Sequence, residues 1–462
     1  MEQQQREAEH GTAPVPALPG GLDAVYTACR RLYVDQPNPL QVTAVLKYWL
    51  NGPDPLDFIS MYSNPGEPGH GIPPHWHYVS FGLSDLFGDG RVHEIPTGPN
   101  GPSGFGFELT FRLKKEPTET APPTWPAELM QGLARYVFQS GNTLCNGDHV
   151  SWHSPLDNSE SRIQHMLMAD DSQLPTITTP HGTVSFVQIV GVCSEELQAS
   201  QRWNGLGMLD LLKSMEVAGG SWLVTDMRRG ETIFEVNPLL MEEVERGIDT
   251  EGSNLSGVCA RCSWDPVGDW TDETDTPRIS QIETEQIRQA LTRGLSNDKP
   301  ILPPISGKQG EEDTNQGLNR RPSTESETDT RSSIFELGNS RYLDGVSIKL
   351  NLEAAALLSL AVRGRLTHGR HFTFKNVAND CAITLVSPSV EGSFVEENHP
   401  FVAKGPWLQL LIRWLQLLIR SDFAETMAND LEFLQSTDNL ELPKVIDWRD
   451  NKLTLTITPD ET

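Results

Sequence analysis

The sequence predicts a mixed α/β (α+β) protein of two globular domains, each a β-sheet packed with helices. Three observations carry that expectation. First, Phe105, Phe107, Leu109, Phe111 and Leu113 alternate with Gly106, Glu108, Thr110 and Arg112, and far downstream Val346, Ile348, Leu350 and Leu352 alternate with Ser347, Lys349 and Asn351. That period belongs to strands with one buried face. Second, helical spacing interleaves with these strands, as in Leu22, Val25, Tyr26, Cys29 and Leu32. Third, composition breaks at residues 265–277, acidic and short of apolar side chains, and at 306–333, SGKQGEEDTNQGLNRRPSTESETDTRSS. A chain of 462 residues divided there has room for two separate cores.

In order along the chain, residues 1–20 are polar and Pro-rich and are expected to be a disordered tail. An N-terminal α/β domain is expected over 21–262. It opens on the Leu22 helix and continues through the Phe105–Leu113 alternation. An amphipathic helix with Leu133, Tyr136 and Val137 follows, then strands at 184–192 and 222–225, both continuously apolar. Between those strands, 206–215 reads as a helix closed by Gly219-Gly220. An acidic linker is expected at 263–279. A second α/β domain, 280–462, is expected to start on a helix with capping-box spacing at Ser280 and Glu283 and apolar Ile287, Leu291 and Leu295. It carries a disordered insertion at 306–333, resumes as the Val346 strand and ends in a hairpin, 445–448 and 452–457, turning at 449–451. The heptapeptide WLQLLIR stands twice in tandem, at 407–413 and 414–420, in what reads as the last helical region. A helix absorbs seven residues with about 20° of drift, but a cloning or gene-model error is the plainer explanation of the repeat.

Charge excludes some functions. A net charge of −27 and a pI near 4.8 oppose binding to a phosphate backbone, so no direct nucleic-acid contact is expected. Six scattered cysteines are no secreted disulfide framework, residues 1–20 hold no apolar signal-peptide core, and the apolar run 407–419 is interrupted by Arg413 and too short for a membrane span. A reducing compartment, cytoplasm or nucleus, is expected. His75 with His77, and Cys259 with Cys262, have metal-ligand spacing but no second pair to close a site, so no metal or cofactor is expected. The histidines of HWHY read as partly buried packing residues. The loop with Asp148, His149, Ser151, Trp152 and His153 holds triad residue types and fits a catalytic, metal or docking site alike. No GxSxG elbow, dinucleotide loop or P-loop accompanies it, so an enzyme, a hydrolase at most, is the lesser reading.

Long stretches of the chain resemble the suppressor of fused family. They are RRLYVDQPNPLQVTAVLKYWLNGPDPLDFISMYSN (30–64), HWHYVSFGLSDLFGDGRVHE (75–94), GPSGFGFELTFRLK (101–114), DMRRGETIFE (226–235), EGSNLSG (251–257) and RGRLTHGRHFTFK (363–375). The resemblance implies the animal-type, two-domain negative regulator of Hedgehog signalling. Such a protein binds Gli/Ci-type zinc-finger transcription factors, holds them in the cytoplasm and represses them in the nucleus. It implies a Ser-Tyr-Gly-His-Leu segment of the partner gripped as an added β-strand between the two domains. A scaffold role toward a pathway kinase or kinesin-like protein is the alternative.

Carried over by that resemblance, Tyr136, Leu144 and Asp148 form the pocket for the polar side chains of the bound segment, Asp148 accepting from its histidine. Val258 and Ala260 lie on the strand beside the peptide, and Glu353 and Leu357 close the other side. Read alone, Tyr136, Val258, Ala260 and Leu357 fit plain core, and Asp148 fits a turn. Arg320-Arg321-Pro322-Ser323 fits a basophilic kinase site at Ser323, or a chance match in a solvated tract.

Overall fold

The computed structural model describes residues 18–93, 100–267, 340–378, 380–404, 413–435 and 440–459. The tail up to residue 17, the Ser280 helix, the 306–333 tract with Ser323 and nearly all of the first WLQLLIR copy lie outside the described residues. The chain forms two compact units, 1–197 with 208–238, and 198–207 with 239–462.

The first unit is built on one large sheet of β1 (Leu40–Thr43), β2 (Phe58–Asn64), β3 (His75–Phe81), β4 (Pro102–Lys114), β5 (His149–Val150), β6 (His165–Asp170), β7 (Ile177–Thr179) and β8 (Gly182–Val192). Its order is β1-β2-β3-β4-β8-β6-β5, with β7 also on β8, and only the β4–β8 pair is parallel. Helix α1 (Gly20–Leu32) turns Leu22, Val25 and Cys29 onto one face, against Tyr62, Val79, Phe81 and Phe186. Helix α2 (Trp125–Ser140) turns Leu129, Met130, Leu133, Ala134 and Val137 onto the other, against Tyr78, Leu109, Phe111 and Ile189.

With helices on both sides, β4 has two buried faces rather than the one its alternation predicts: Glu108, Thr110 and Arg112 are all 0% exposed. A period-two pattern marks the polar face but not what covers it. Polar groups so buried must find partners inside, and they do. Glu108 accepts from Ser80 Oγ (2.5 Å), Ser84 Oγ (2.6 Å) and the N–H groups of Gly82 and Ser84 (2.9 and 3.0 Å). Arg112 donates to Asp171 Oδ1 (2.8 Å), Gln188 Oε1 (3.1 Å), Gln173 Oε1 (2.9 Å) and His75 Nε2 (2.9 Å). His77 bridges Asp171 Oδ2 (3.0 Å) and the Tyr33 hydroxyl (2.7 Å). Both histidines of HWHY are therefore fully buried members of a polar network, not partly buried packing residues.

Two further expectations change. Residues 222–225 are not a strand. Leu223 takes a left-handed φ of 51° after a 3-10 turn at Gly220–Trp222, and only Thr225 bridges the sheet, at Leu113. The expected helix at 206–215 is α4 (Gly205–Lys213), after α3 (Ser194–Arg202). Gly219, at φ 89°, closes a separate turn, Glu216–Ala218. The DMRRGETIFE segment leads into the short helix α5 (Ile233–Val236), whose Thr232 and Glu235 form a capping box. Its Arg229 is buried against the Glu196 carboxylate.

The second unit opens with α6 (Leu239–Glu251). It has strands β9 (Gly257–Ala260), β10 (Cys262–Pro266), β11 (Ser340–Tyr342), β12 (Val346–Asn351), β13 (Phe372–Asn376), β14 (Cys381–Val386), β15 (Phe401–Lys404), β16 (Arg413–Leu418), β17 (Lys444–Trp448) and β18 (Leu453–Thr458). They form two sheets, β10-β12-β18-β17 and β11-β15-β16-β14-β13-β9. Helices α7 (Leu352–Ala361) and α8 (Ser421–Asp430) share one core with both sheets, including Trp264, Leu350, Leu358, Phe374, Leu417 and Phe423. The expected terminal hairpin is present as β17 and β18, turning at Arg449–Asn451.

The expected boundary at 262 and the linker at 263–279 are corrected in part. Residues 239–262 group with the second unit, and β10 runs to Pro266 in register with β12 (Cys262↔Leu350). Strands of four and five residues give too short a pattern to reveal which sheet they join, and their partners lie beyond residue 345. The second WLQLLIR copy is also not helical. It is β16, with β14 on one side and β15 on the other. Leu415 and Leu417 face the main core, and Leu418 faces Val386 and Val402. In a strand an odd insertion inverts the faces, so the helical argument for absorbing seven residues does not apply here.

Candidate functional site

The sequence-expected site residues fall into two groups, one in each unit. In the first, α2 ends at Gly141, whose left-handed φ of 71° lets its N–H reach Val137 O at 2.9 Å. This close directs the chain along the sheet edge. Tyr136 is half-buried, and its hydroxyl accepts from Asn142 Nδ2 at 3.0 Å. Leu144 is only 1% exposed and packs in the core with α2, so it supports the surface from beneath.

Residues 145–148 make a turn that Asp148 closes twice. Its N–H donates to Cys145 O at 3.0 Å, and its Oδ2 accepts from Cys145 N–H at 2.8 Å. Burial, to 7% exposure, pushes the Asp148 carboxyl above the usual range, while the Cys145 N–H and the nearby His149 pull it back. Oδ1 has no protein donor among the described residues. Gly147 N–H and Met168 N–H then bond to Met168 O and Asp148 O, both at 2.8 Å, and start the pairing of β5 with β6. Among the described residues β5 is the last strand on its side of the sheet.

The remaining polar residues of this loop serve its geometry. His165 on β6 accepts at Nδ1 from the N–H groups of Trp152 (3.2 Å) and His153 (3.4 Å), and its Nε2 meets Ser194 Oγ at 3.1 Å. The His153 ring, on a residue with φ of 62°, stands edge-on to that of His165 at 5.2 Å. Reasoning from sequence missed His165, because its strand was not identified and its hold on the loop depends on the β5–β6 pairing. Asp148 bonds to its own turn and His153 to another ring, so the described contacts do not join Asp148, His149 and His153 into a proton relay.

In the second unit, β9 is the outermost described strand of its sheet, paired in parallel with β13 (Val258↔Phe374, Ala260↔Asn376). Val258 and Ala260 are half-buried against the core, and Cys259 points out. Cys262 is buried, its carbonyl accepting from the Cys381 thiol at 3.1 Å, so the two cysteines of the CxxC spacing face different surroundings. Asn351 N–H donates to Arg261 O at 3.1 Å, which sets the start of α7 beside the end of β9. The Asn351 side chain caps that helix, accepting from Ala354 N–H at 3.3 Å. Exposed Glu353 in the first turn and half-buried Leu357 one turn on share one face of α7. Val258, Ala260, Glu353 and Leu357 thus come from adjoining elements. The sequence could not show this, since β9 and α7 are far apart in it.

Two family models match this chain: "Suppressor of fused protein (SUFU)" over residues 52–230 and "Suppressor of Fused Gli/Ci N terminal binding domain" over residues 242–457. The chain is 58% identical over 452 residues to the human and mouse proteins named Suppressor of fused homolog, a match covering 95% of this chain and 92% of each relative. The crystal structure of Drosophila Suppressor of Fused superposes with a TM-score of 0.72 at 39% identity, covering 96% of this chain and 98% of that one.

Proposed function

This chain belongs to the suppressor of fused family, and from that premise we propose that it represses a Gli/Ci-type transcription factor by binding a Ser-Tyr-Gly-His-Leu segment of it as an added β-strand. The partner is thereby kept in the cytoplasm and restrained in the nucleus. The observation that carries this reading is the outer edge of β9, which pairs with no other strand among the described residues. A strand with a vacant edge presents its N–H and C=O groups to an extended peptide, which takes affinity from main-chain hydrogen bonds and specificity from flanking side chains. Val258 and Ala260 sit half-buried on this edge strand, packed against the core, and α7, which carries Glu353 and Leu357, starts beside its end. Among the described residues β5 also ends the sheet of the first unit, and Asp148 Oδ1, which has no donor among them, suits an imidazole N–H donor.

Calorimetric titration with the Ser-Tyr-Gly-His-Leu peptide and its His→Ala copy tests this. The histidine is expected to contribute about 1 kcal/mol or more, the value of one hydrogen bond, and about 1.5–3 kcal/mol if Asp148 accepts as a carboxylate. Asp148→Asn keeps an acceptor for Cys145 N–H and removes the charge. It is expected to weaken the histidine peptide while leaving the alanine peptide unchanged, the signature of direct coupling. Asp148→Arg should abolish binding, and because it also strips the turn of its cap, a melting curve must accompany it. Equal affinity of wild type and Asp148→Asn for the histidine peptide would remove Asp148 from the site. Absence of binding by either peptide would sink the strand-addition reading.

A further inference from the structure

The RGRLTHGRHFTFK segment enters the second unit as a wide π-helical turn, Val362–Leu366, continuing from α7, and leaves it as β13. π-Turns cost regular hydrogen bonding and recur at functional positions. Arg363 on this turn is neutralised by Asp249 at 2.7 Å and Glu245 at 3.4 Å. Arg365 and Arg370 are not. Arg365, 8% exposed, donates from Nη1 to Ser253 O at 2.8 Å and from Nε to His371 O at 3.0 Å. Arg370, half-buried, donates from Nη1 to the same Ser253 O at 3.0 Å. Among the described residues no carboxylate pairs with either guanidinium. Burial and the charge of Arg370 lower the Arg365 pKa to about 10, and burial and Arg365 lower that of the neighbouring His371.

Two like charges converging on one carbonyl, one of them buried, is an unfavourable arrangement that a chain with 63 acidic residues had ample means to neutralise. The arrangement leaves Arg365 Nη2 and Arg370 Nε and Nη2 without protein acceptors among the described residues. Gly252, at φ 86°, passes so close that a Cβ there would stand 3.2 Å from Arg370 Nη1 and 2.8 Å from Gly364 O. A side chain would crowd the pair, and glycine leaves it open.

We propose that Arg365 and Arg370 form an oxyanion site that receives a phosphate group. Two guanidinium forks carry charge and donors for a tetrahedral group of charge near −2, whereas a single carboxylate occupies only one fork. Ser253 lies four residues before β9 and Arg370 two before β13, so the site lies near the N-terminal end of the strand to which the partner segment is assigned. Resting on that reading, the group it receives is a phosphorylated serine or threonine flanking the bound segment.

The full-length chain is melted in inorganic phosphate and in chloride of equal ionic strength, as wild type and as Arg370→Gln, which keeps a donor for Ser253 O and loses the charge. Phosphate is expected to raise the wild-type melting temperature by about 2 °C or more and to leave Arg370→Gln unmoved, with Arg370→Lys recovering part of the shift. An equal effect of phosphate on wild type and Arg370→Gln, or none on either, overturns the site. In a second arm, fluorescence anisotropy compares Ser-Tyr-Gly-His-Leu peptides with phosphoserine before or after the segment against the unmodified peptide. One phosphopeptide is expected to bind about tenfold tighter, and only when Arg370 is present. Arg370-dependent stabilisation by phosphate with no gain for either phosphopeptide would identify a free phosphate as the occupant and refute the peptide source. Failure of the unmodified peptide to bind beside intact phosphate stabilisation would sink the strand-addition reading and leave the oxyanion site standing.

Discussion

Replacing Asp171 by Ala is expected to destabilise the first unit by about 3–5 kcal/mol, the cost of leaving a buried charge without its partner. Asp171 and Arg112 are both 0% exposed at their side chains and bond at 2.8 Å. Asp171 Oδ1 also accepts from the N–H groups of Gln173 and Leu174, both at 2.9 Å, and Oδ2 from Thr110 Oγ1 at 2.8 Å and His77 at 3.0 Å. This array, with Arg112 and His77, holds the Asp171 carboxyl well below the usual range despite its burial. Removing it strands a guanidinium at the centre of the sheet. Against a typical total of about 5–15 kcal/mol, that is a large share of the margin. Equilibrium denaturation followed by tryptophan fluorescence reads the loss. The double variant Arg112→Met/Asp171→Leu is expected to recover part of it, because no charge is then left unpaired. A loss below about 1 kcal/mol for Asp171→Ala would show that water reaches Arg112 and that the network is not the sealed array described.

The second large effect is a steep fall in stability on mild acidification. His75 donates from Nδ1 to Pro73 O at 2.8 Å and uses Nε2 as acceptor for Arg112, so the neutral ring is the bonded form. His77 likewise donates to Asp171 and accepts from Tyr33. Burial, then the charge of Arg112, lowers their pKa values to about 3 and about 4. The unfolded chain titrates these rings near 6.5, so below that pH it binds more protons than the folded chain and folding weakens. The contribution is complete above about pH 6.5 and declines as pH falls toward 4, at about 1.4 kcal/mol per pH unit for each ring. His93, His149 and His165, also lowered by burial, add in the same direction. Asp57, Glu108 and Asp148, raised by burial, act oppositely and moderate the slope at its acid end. Asp171, held below the ordinary carboxylate range, adds a further loss once pH falls to about 4, where the unfolded carboxylate protonates. Denaturation at steps between pH 7 and 5 should show the fall, with a shallower slope in His75→Gln. A flat profile would mean that both rings are hydrated in the folded state.

Much of the fold was legible in the sequence because its cause is local. The alternation in β4 and β12, the spacing of α1 and the turn at 449–451 each follow from neighbouring residues. The site was legible unevenly. Asp148 stood out as a polar residue beside Gly147, and the turn it closes is local. Val258 and Ala260 carried no signal of their own, since half-buried edge positions read as core until the strand order is known. Arg365 and Arg370 are ordinary cations in sequence. Only the convergence of both on Ser253 O sets them apart.

By itself, then, the sequence determined most of the longer strands and helices, that there are two units, and, through its resemblances, the family, but not the turn at 220–225 or the strand made by the second WLQLLIR copy. These follow from backbone period, turn chemistry and composition, which act within about ten residues. Tertiary structure alone decided which strands lie at sheet edges, which unit claims residues 239–266, and that β4 is covered on both faces. It also decided that His75, His77, Arg112 and Asp171 meet in one buried network. Each of these depends on contacts between residues far apart in the chain, and there burial and electrostatics are set by what packs opposite a side chain rather than by what precedes it.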